Sequence, residues 1–294
     1  MRARARAAWR VLREAGALWA SKDAFQLAGA LAFYTLFSVA PLLIIVVTIT
    51  GAVFGEEAVR GEIAAQVSDV LGSETAEVLE VAVRRSRIAE AGILPTVLGI
   101  GALLFGATTV FAQLQAALNR FWGVAPRPSR KGVVVFALSR LVSFGMVLIF
   151  GFLLLVSFAV SMALQALMRF GEELVAIPLG VAAAADVVIS LALASVLFAL
   201  LFQVLPDARV AWRDTWLGGL MTGALFIGGQ YLISLYLTTA GPASLYGAAG
   251  ALVVLLLWVY YSSLIVFFGA AFTRTLVAHR GRSIEPSPGA VRVE

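Results

Sequence analysis

Six long apolar stretches, at about 26–54, 93–117, 133–163, 178–203, 215–237 and 247–272, alternate with short polar segments along this 294-residue chain. A helix rises about 1.5 Å per residue and a bilayer's hydrocarbon core is about 30 Å thick, so roughly 20 apolar residues are enough to cross. Every stretch reaches that length. The pattern predicts an all-α, polytopic membrane protein with six transmembrane helices. The third stretch would be about 46 Å long as a helix, so it must tilt or leave its first turns in the interface.

Ahead of the first stretch, residues 1–25 carry six basic side chains, and Trp9, Leu12, Gly16 and Trp19 recur at helical spacing. That pattern suits an amphipathic helix lying along a membrane surface, with arginines toward lipid phosphates. It does not suit a cleavable signal, because the apolar run that follows is too long for an h-region. The membrane domain is expected over 26–272, interrupted by one sizeable polar insertion at 55–92. Within it Val59, Ile63, Val67, Val70 and Leu71 form an apolar stripe, and Gly72–Ser73 reads as a helix stop followed by an N-cap. The insertion is therefore expected to be a helical hairpin between spans 1 and 2, either packed on the bundle or serving as a ligand lid. Residues 273–294, rich in Pro, Gly and Ser after Gly281, are expected to form a disordered tail.

Charge placement supplies an orientation. Seventeen Lys and Arg residues lie in the N-terminal segment, the two connections after spans 2 and 4 (with Arg140 just beyond the first of these), and the tail. Five (Arg60, Arg84, Arg85, Arg87, Arg169) lie on the other side. By the positive-inside rule both termini belong in the cytoplasm and the hairpin, with eight acidic residues, faces outward. The chain is 61% hydrophobic with a mean hydropathy of +0.95, and only 13% of it is charged, against about 25% for a soluble domain. Its net charge of +5 sits at span ends, where anionic lipid attracts it, which disfavours a nucleic-acid partner. Cysteine is absent and His279 is the sole histidine, so thiolate catalysis and multi-histidine metal sites are excluded. No metal and no cofactor is expected. Without a base near any serine, a P-loop or paired carboxylates in the spans, no catalytic set can be assembled and the chain does not read as an enzyme.

Several polar residues inside the spans remain as candidates. In span 1, Gln26, Ala30, Tyr34, Ser38 and Pro41 follow near-i+4 spacing, and Pro41 frees the carbonyl of Phe37. They line a pathway along a kinked helix or make an ordinary helix contact. In span 2, Gln115 and Asn119 share one face and Gln113 the adjoining one, forming either interhelical hydrogen bonds or an amide-lined vestibule. Asp186 is the one acid deep in a span, roughly 12 Å from its outer end; intramembrane carboxylates serve as proton relays or cation partners, or stay neutral. Span 5 holds a GxxxG at Gly219–Gly223, which suits close packing and permits a homo-oligomer, with Gln230 nearby. In span 6, Trp258, Tyr260, Tyr261, Ser262 and Ser263 sit near mid-depth rather than at the interface. Rings and hydroxyls together suit a lipid or amphiphile path, and plain packing equally.

Four stretches carry a family resemblance: AGALAFYTLFSVAPLL (28–43), ATTVFAQLQAALNRFWGV (107–124), FQVLPDARVAWRDTWLGG (202–219) and SLYGAAGALVVLLLWVYYSSLIVFFGA (244–270). In this order they resemble the YihY family of bacterial inner-membrane proteins, also called the virulence factor BrkB family. The resemblance implies six helices with both termini inside. It places Tyr34, Ser38 and Pro41 on the first motif, Gln115, Asn119 and Trp122 on the second, and Tyr246, Gly247 and Trp258 on the last. Pro206, Asp207, Trp212 and Arg213 fall on a cytoplasmic loop motif between them. Many relatives carry a glutamate after the final Gly-Ala, where this chain has Ala271, so no carboxylate role transfers there. Members have been linked to serum resistance and envelope lipid export. An older ribonuclease label is opposed by the lack of a histidine–aspartate cluster here. The resemblance implies transport or translocation of a lipid or amphiphile, with membrane lipids as partners. The alternative is a non-transporting scaffold for envelope partners.

Overall fold

The computed structural model describes residues 2–85, 93–127, 145, 179–240 and 250–293. The expected third span at 133–163 lies outside the described residues except for Gly145. The elements are α1 (Arg2–Ser21), α2 (Ala24–Phe54), α3 (Glu56–Leu71), α4 (Ser73–Arg85), α5 (Ile93–Trp122), β1 (Val124–Pro126), α6 (Leu179–Val204), β2 (Ala208–Arg209), α7 (Trp212–Ala240), α8 (Gly250–His279), β3 (Glu285–Pro286) and β4 (Ala290–Arg292).

Among the described residues three segments are long and apolar enough to cross a membrane: Val187–Val204, Trp212–Ile233 and Gly250–His279. Only 28%, 33% and 39% of these segments is buried in protein. Their outer faces present Val188, Trp216, Leu220, Leu225, Leu252 and Leu257. A continuous apolar surface of that kind is a liability in water and the expected boundary in lipid.

Helices surrounded by hydrocarbon gain little from hiding leucine, so close backbone approach has to hold them. α7 is flanked by α6 and α8 through glycines. A Cβ on Gly219 would lie 2.5 Å from the carbonyl oxygen of Ser195 and 2.9 Å from the Ala199 methyl, both on α6. On the other side two pairs reciprocate: Gly218 of α7 receives Thr273 of α8, and Gly269 of α8 receives Thr222 of α7. Both threonines are fully buried and donate to carbonyls one turn back, Thr222 to Gly218 and Thr273 to Gly269, each at 2.7 Å. The hydroxyls thus sit in the glycine notches of the facing helix while donating within their own helices.

The main core lies where α2, α5, α6 and α8 meet the connecting turns. Phe121, Phe202, Phe267, Leu118 and Leu205 are fully buried there, with Phe121 and Phe267 stacked 5.3 Å apart. α1 docks on α8: Trp19 donates its indole N–H to the Leu264 carbonyl at 3.1 Å. The face of α1 that is buried carries Val11 and Ala15, and Trp9 is 69% exposed. Trp9 therefore does not join Trp19 against the protein. At the other end of the bundle, Leu79 of α4 packs with Val254 and Leu255 of α8.

The tail departs from expectation. Residues after Gly281, expected to be disordered from their Pro, Gly and Ser content, instead return to the bundle. β4 pairs antiparallel with β1, Val124 opposite Arg292 and Pro126 opposite Ala290. β3 pairs antiparallel with β2, Ala208 opposite Pro286. Gly289, at φ 96°, makes the reversal that a side chain would strain, and Ile284 and Ala290 are buried. The prolines sit in two-stranded pairs, where a missing N–H is tolerated. Composition flags such residues as breakers, but the ladder partners come from distant loops.

Gly219→Ala and Gly269→Ala are expected to lower the thermal unfolding midpoint of the detergent-solubilised protein, each by about 1–3 kcal/mol of overpacking. Gly228→Ala, with nothing within 4 Å of the added methyl, should leave it unchanged. Three identical midpoints would sink this account of the packing.

Candidate functional site

The polar chemistry of the described residues gathers at the arginine-rich end of the bundle. α5 brings Gln115 and Asn119 there on one buried face, the i, i+4 pair expected from the sequence. Between α6 and α7 the chain turns through Pro206, which is buried, and Asp207. Gln115 Nε2 donates to Asp207 Oδ1 at 3.3 Å and Asn119 Nδ2 to Oδ2 at 2.8 Å. The Asp207 backbone N–H returns a bond to Asn119 Oδ1 at 2.8 Å. Its carbonyl accepts the Ser287 N–H at 3.0 Å. One residue therefore joins α5, the α6–α7 turn and the tail, with every polar atom used. Two amides serve a carboxylate rather than lining a vestibule.

A second carboxylate escaped the sequence reading. Asp214, in the first turn of α7, is 1% exposed. It pairs with Arg280 through Oδ1, and its Oδ2 lies 3.1 Å from Arg282 Nη1. The α7 N-terminus adds its own positive dipole. Arg213, which the motif singled out, is exposed beside it. A lone acid at the head of an apolar span was the signal available. Asp23, at φ 57° between α1 and α2, pairs with Arg120 of α5. Arg274 Nη1 donates to the Phe121 carbonyl at 2.6 Å, satisfying an orphan acceptor in the last turn of α5.

The mid-depth candidates are not brought together in the same way. Ser38 is 2% exposed, whereas Tyr34 is 39% exposed beside Phe33 and Phe37 on the outer surface. Gln26 is exposed as well. The expected single face breaks because a spacing of four drifts about 40° per step, so positions 26 and 38 end about 120° apart. The buried face instead runs through Ala24, Ala28, Leu31 and Ser38. Gln113 and Gln230 are half-buried. Tyr261 lies against α7, where a Cβ on Gly229 would meet its ring at 2.6 Å, and Trp258 meets Phe226 edge-on at 5.6 Å. Ser263 donates to the Val259 carbonyl at 2.6 Å. Ser262 Oγ is buried with no partner among the described residues. The side chains of Pro41 and Asp186 lie outside the described residues.

The family model for virulence factor BrkB matches residues 18–293, from the end of α1 through the returning tail. The chain belongs to that family. It is 28% identical over 254 residues to a UPF0761 membrane protein of Psychromonas ingrahamii, covering 85% of this chain and 81% of the relative. A UPF0761 membrane protein of Ralstonia nicotianae is 30% identical over 258 residues, covering 85% of this chain and 55% of the relative. One from Pseudomonas aeruginosa is 29% identical over 259 residues, covering 86% and 59%. The chain thus spans little more than half the length of these last two. No solved structure matches it. BrkB family membership carries the conclusion that this is a membrane protein with transmembrane helices.

Asn119→Asp sets two carboxylates against one another and should lower stability by about 2 kcal/mol. The swapped double variant N119D/D207N restores one donor–acceptor pair and should recover most of that loss. Unfolding midpoints of the four proteins form the cycle, and an additive double variant would refute direct coupling.

Proposed function

We propose that the protein assists movement of a lipid or amphiphile across or within the bacterial inner membrane. The observation that supports this best is the position of Tyr34. It lies ten residues into the 31-residue α2, so about 15 Å along the helix from Ala24 and within the reach of a ~30 Å hydrocarbon layer. Its ring is partly exposed on the bundle's outer surface, and no described residue receives its hydroxyl. A phenol usually sits at the membrane interface, where water or headgroups meet its hydroxyl. Within the hydrocarbon, a passing headgroup would meet that need. The buried, unpartnered Ser262 hydroxyl on α8 is a second polar group of the same kind. This role requires no catalytic residue, metal or cofactor.

The accompanying topology has six spans, both termini in the cytoplasm and residues 55–92 as an outward-facing helical hairpin. It is supported by the bias of seventeen basic residues against five. A scaffold that binds envelope partners is the second reading, favoured by Val78 and Val81, 39% and 40% exposed on α4.

Purified protein reconstituted in liposomes should accelerate flip-flop of labelled phospholipid, and Tyr34→Phe or Asp186→Asn should slow it. Rates equal to those of empty liposomes across a panel of lipids would remove the transport reading and leave the scaffold. Because the chain has no cysteine, topology can be read on single-cysteine variants. Arg10→Cys and Arg209→Cys should be shielded from impermeant thiol reagent in intact cells, and Glu77→Cys labelled. Opposite sidedness for positions 10 and 209 would overturn the topology.

A further inference from the structure

Beside the stacked phenylalanines, the ends of α5 and α8 and the returning tail border an open pocket of about 320 Å³ lined by Trp122, Gly123, Arg274, Arg282, Ser283 and Arg292, among others. Its volume is about ten times the share of one liquid water. Three guanidinium groups line a single space, and their charges are unequally answered. Arg282 is paired with Asp214, which Arg280 also engages. Arg274 and Arg292 have no carboxylate partner among the described residues. Each spends one N–H on a backbone carbonyl, Arg274 on Phe121 and Arg292 on Ile284, both at 2.6 Å. A guanidinium has five donors and accepts nothing, so both keep donors and a full charge for something else.

Trp122 adds an independent sign. It is 3% exposed, lines the same pocket, and its indole Nε1 is buried with no partner among the described residues. An indole N–H can only donate, and burying it without an acceptor gives up its bond to water with nothing in return. Its requirement is an acceptor. Guanidinium groups, an indole N–H and the Ser283 hydroxyl therefore present donors almost without acceptors.

We propose that this pocket is a binding site for a phosphate-bearing anion. Two cations with no carboxylate partner among the described residues call for about two negative charges, and a phosphomonoester supplies these with several acceptor oxygens suited to guanidinium forks. The ligand is either a free phosphate compound or the headgroup of a lipid with a terminal phosphate. The topology proposed above puts the site at the cytoplasmic surface, within reach of both. Because Gly123, Arg274 and Val293 pack together here, a bound anion also fastens the tail to the ends of α5 and α8. The site stands apart from Tyr34 and does not depend on lipid movement.

The test uses the full chain in nanodiscs of zwitterionic lipid, titrated with inorganic phosphate and pyrophosphate at constant ionic strength. Saturable binding by calorimetry, with a raised unfolding midpoint, is expected for a soluble ligand; protection appearing only in discs containing phosphatidic acid identifies a headgroup instead. Either result supports the site provided that Arg292→Gln, on an exposed side chain, weakens binding about tenfold, the scale of one charge-assisted bond. R274Q/R292Q should abolish it, and Trp122→Phe should weaken it. Arg213→Gln, at the same end but outside the pocket, should bind as the parent does. Absence of binding to phosphate, pyrophosphate and phosphatidic acid would overturn the proposal. So would equal binding by Arg292→Gln and Arg213→Gln, whatever the outcome of the flip-flop assay.

Discussion

Lipid is a solvent that rewards hiding apolar side chains very little, and that constraint shapes the bundle. Leucines and valines can face outward at no cost, as they do along α6, α7 and α8. What remains to hold helices is dispersion at short range and polar groups that hydrocarbon will not accept. α7 meets both needs. It presents glycines to α6 and to α8, and the intruding Thr222 and Thr273 hydroxyls are tied to their own helices. Backbones approach closely without leaving a donor unmet.

Outside the hydrocarbon the rules change, and so does the chemistry. At the arginine-rich end Asp207, Asp214 and Asp23 each take partners from distant parts of the chain. Asp207 and Asp214 are the more consequential, because a half-buried or buried carboxylate is costly without several hydrogen bonds. Together the three connect α2, α5, α7, α8 and the tail. The short strand pairs add backbone ladders to the same region. A polar cap of this kind sets how the helices are rotated. In the resulting bundle Ser38 is turned inward while Tyr34 is turned out, the arrangement on which the proposed lipid role rests.

Much of the architecture was legible in the residues themselves. The ends of α2, α5, α6 and α7 fall within about five residues of the apolar stretches, because hydrophobic length in a bilayer is nearly a direct readout of helix length. α8 runs further than its apolar stretch, to His279, because Arg274 and His279 find partners in Phe121 and Glu14. Gln115 and Asn119 were legible as a pair since four residues is a local helical distance. Their partner was not, as Asp207 lies 88 residues from Asn119.

Local periodicity is a property of neighbouring residues, so the chain alone determined its helical, membrane-embedded character, the Gly72 stop between α3 and α4, and the glycine-lined face of α7. It could not determine which carboxylate each arginine meets, that a Pro- and Gly-rich tail finds strands to pair with, or that Trp122, Arg274 and Arg292 surround one space. Those depend on contacts between segments far apart in the chain, such as 66 residues for Asp214 and Arg280 and 153 for Phe121 and Arg274. Only when packing has brought the ends of α5 and α8 together does a scatter of arginines become a site with a charge to answer.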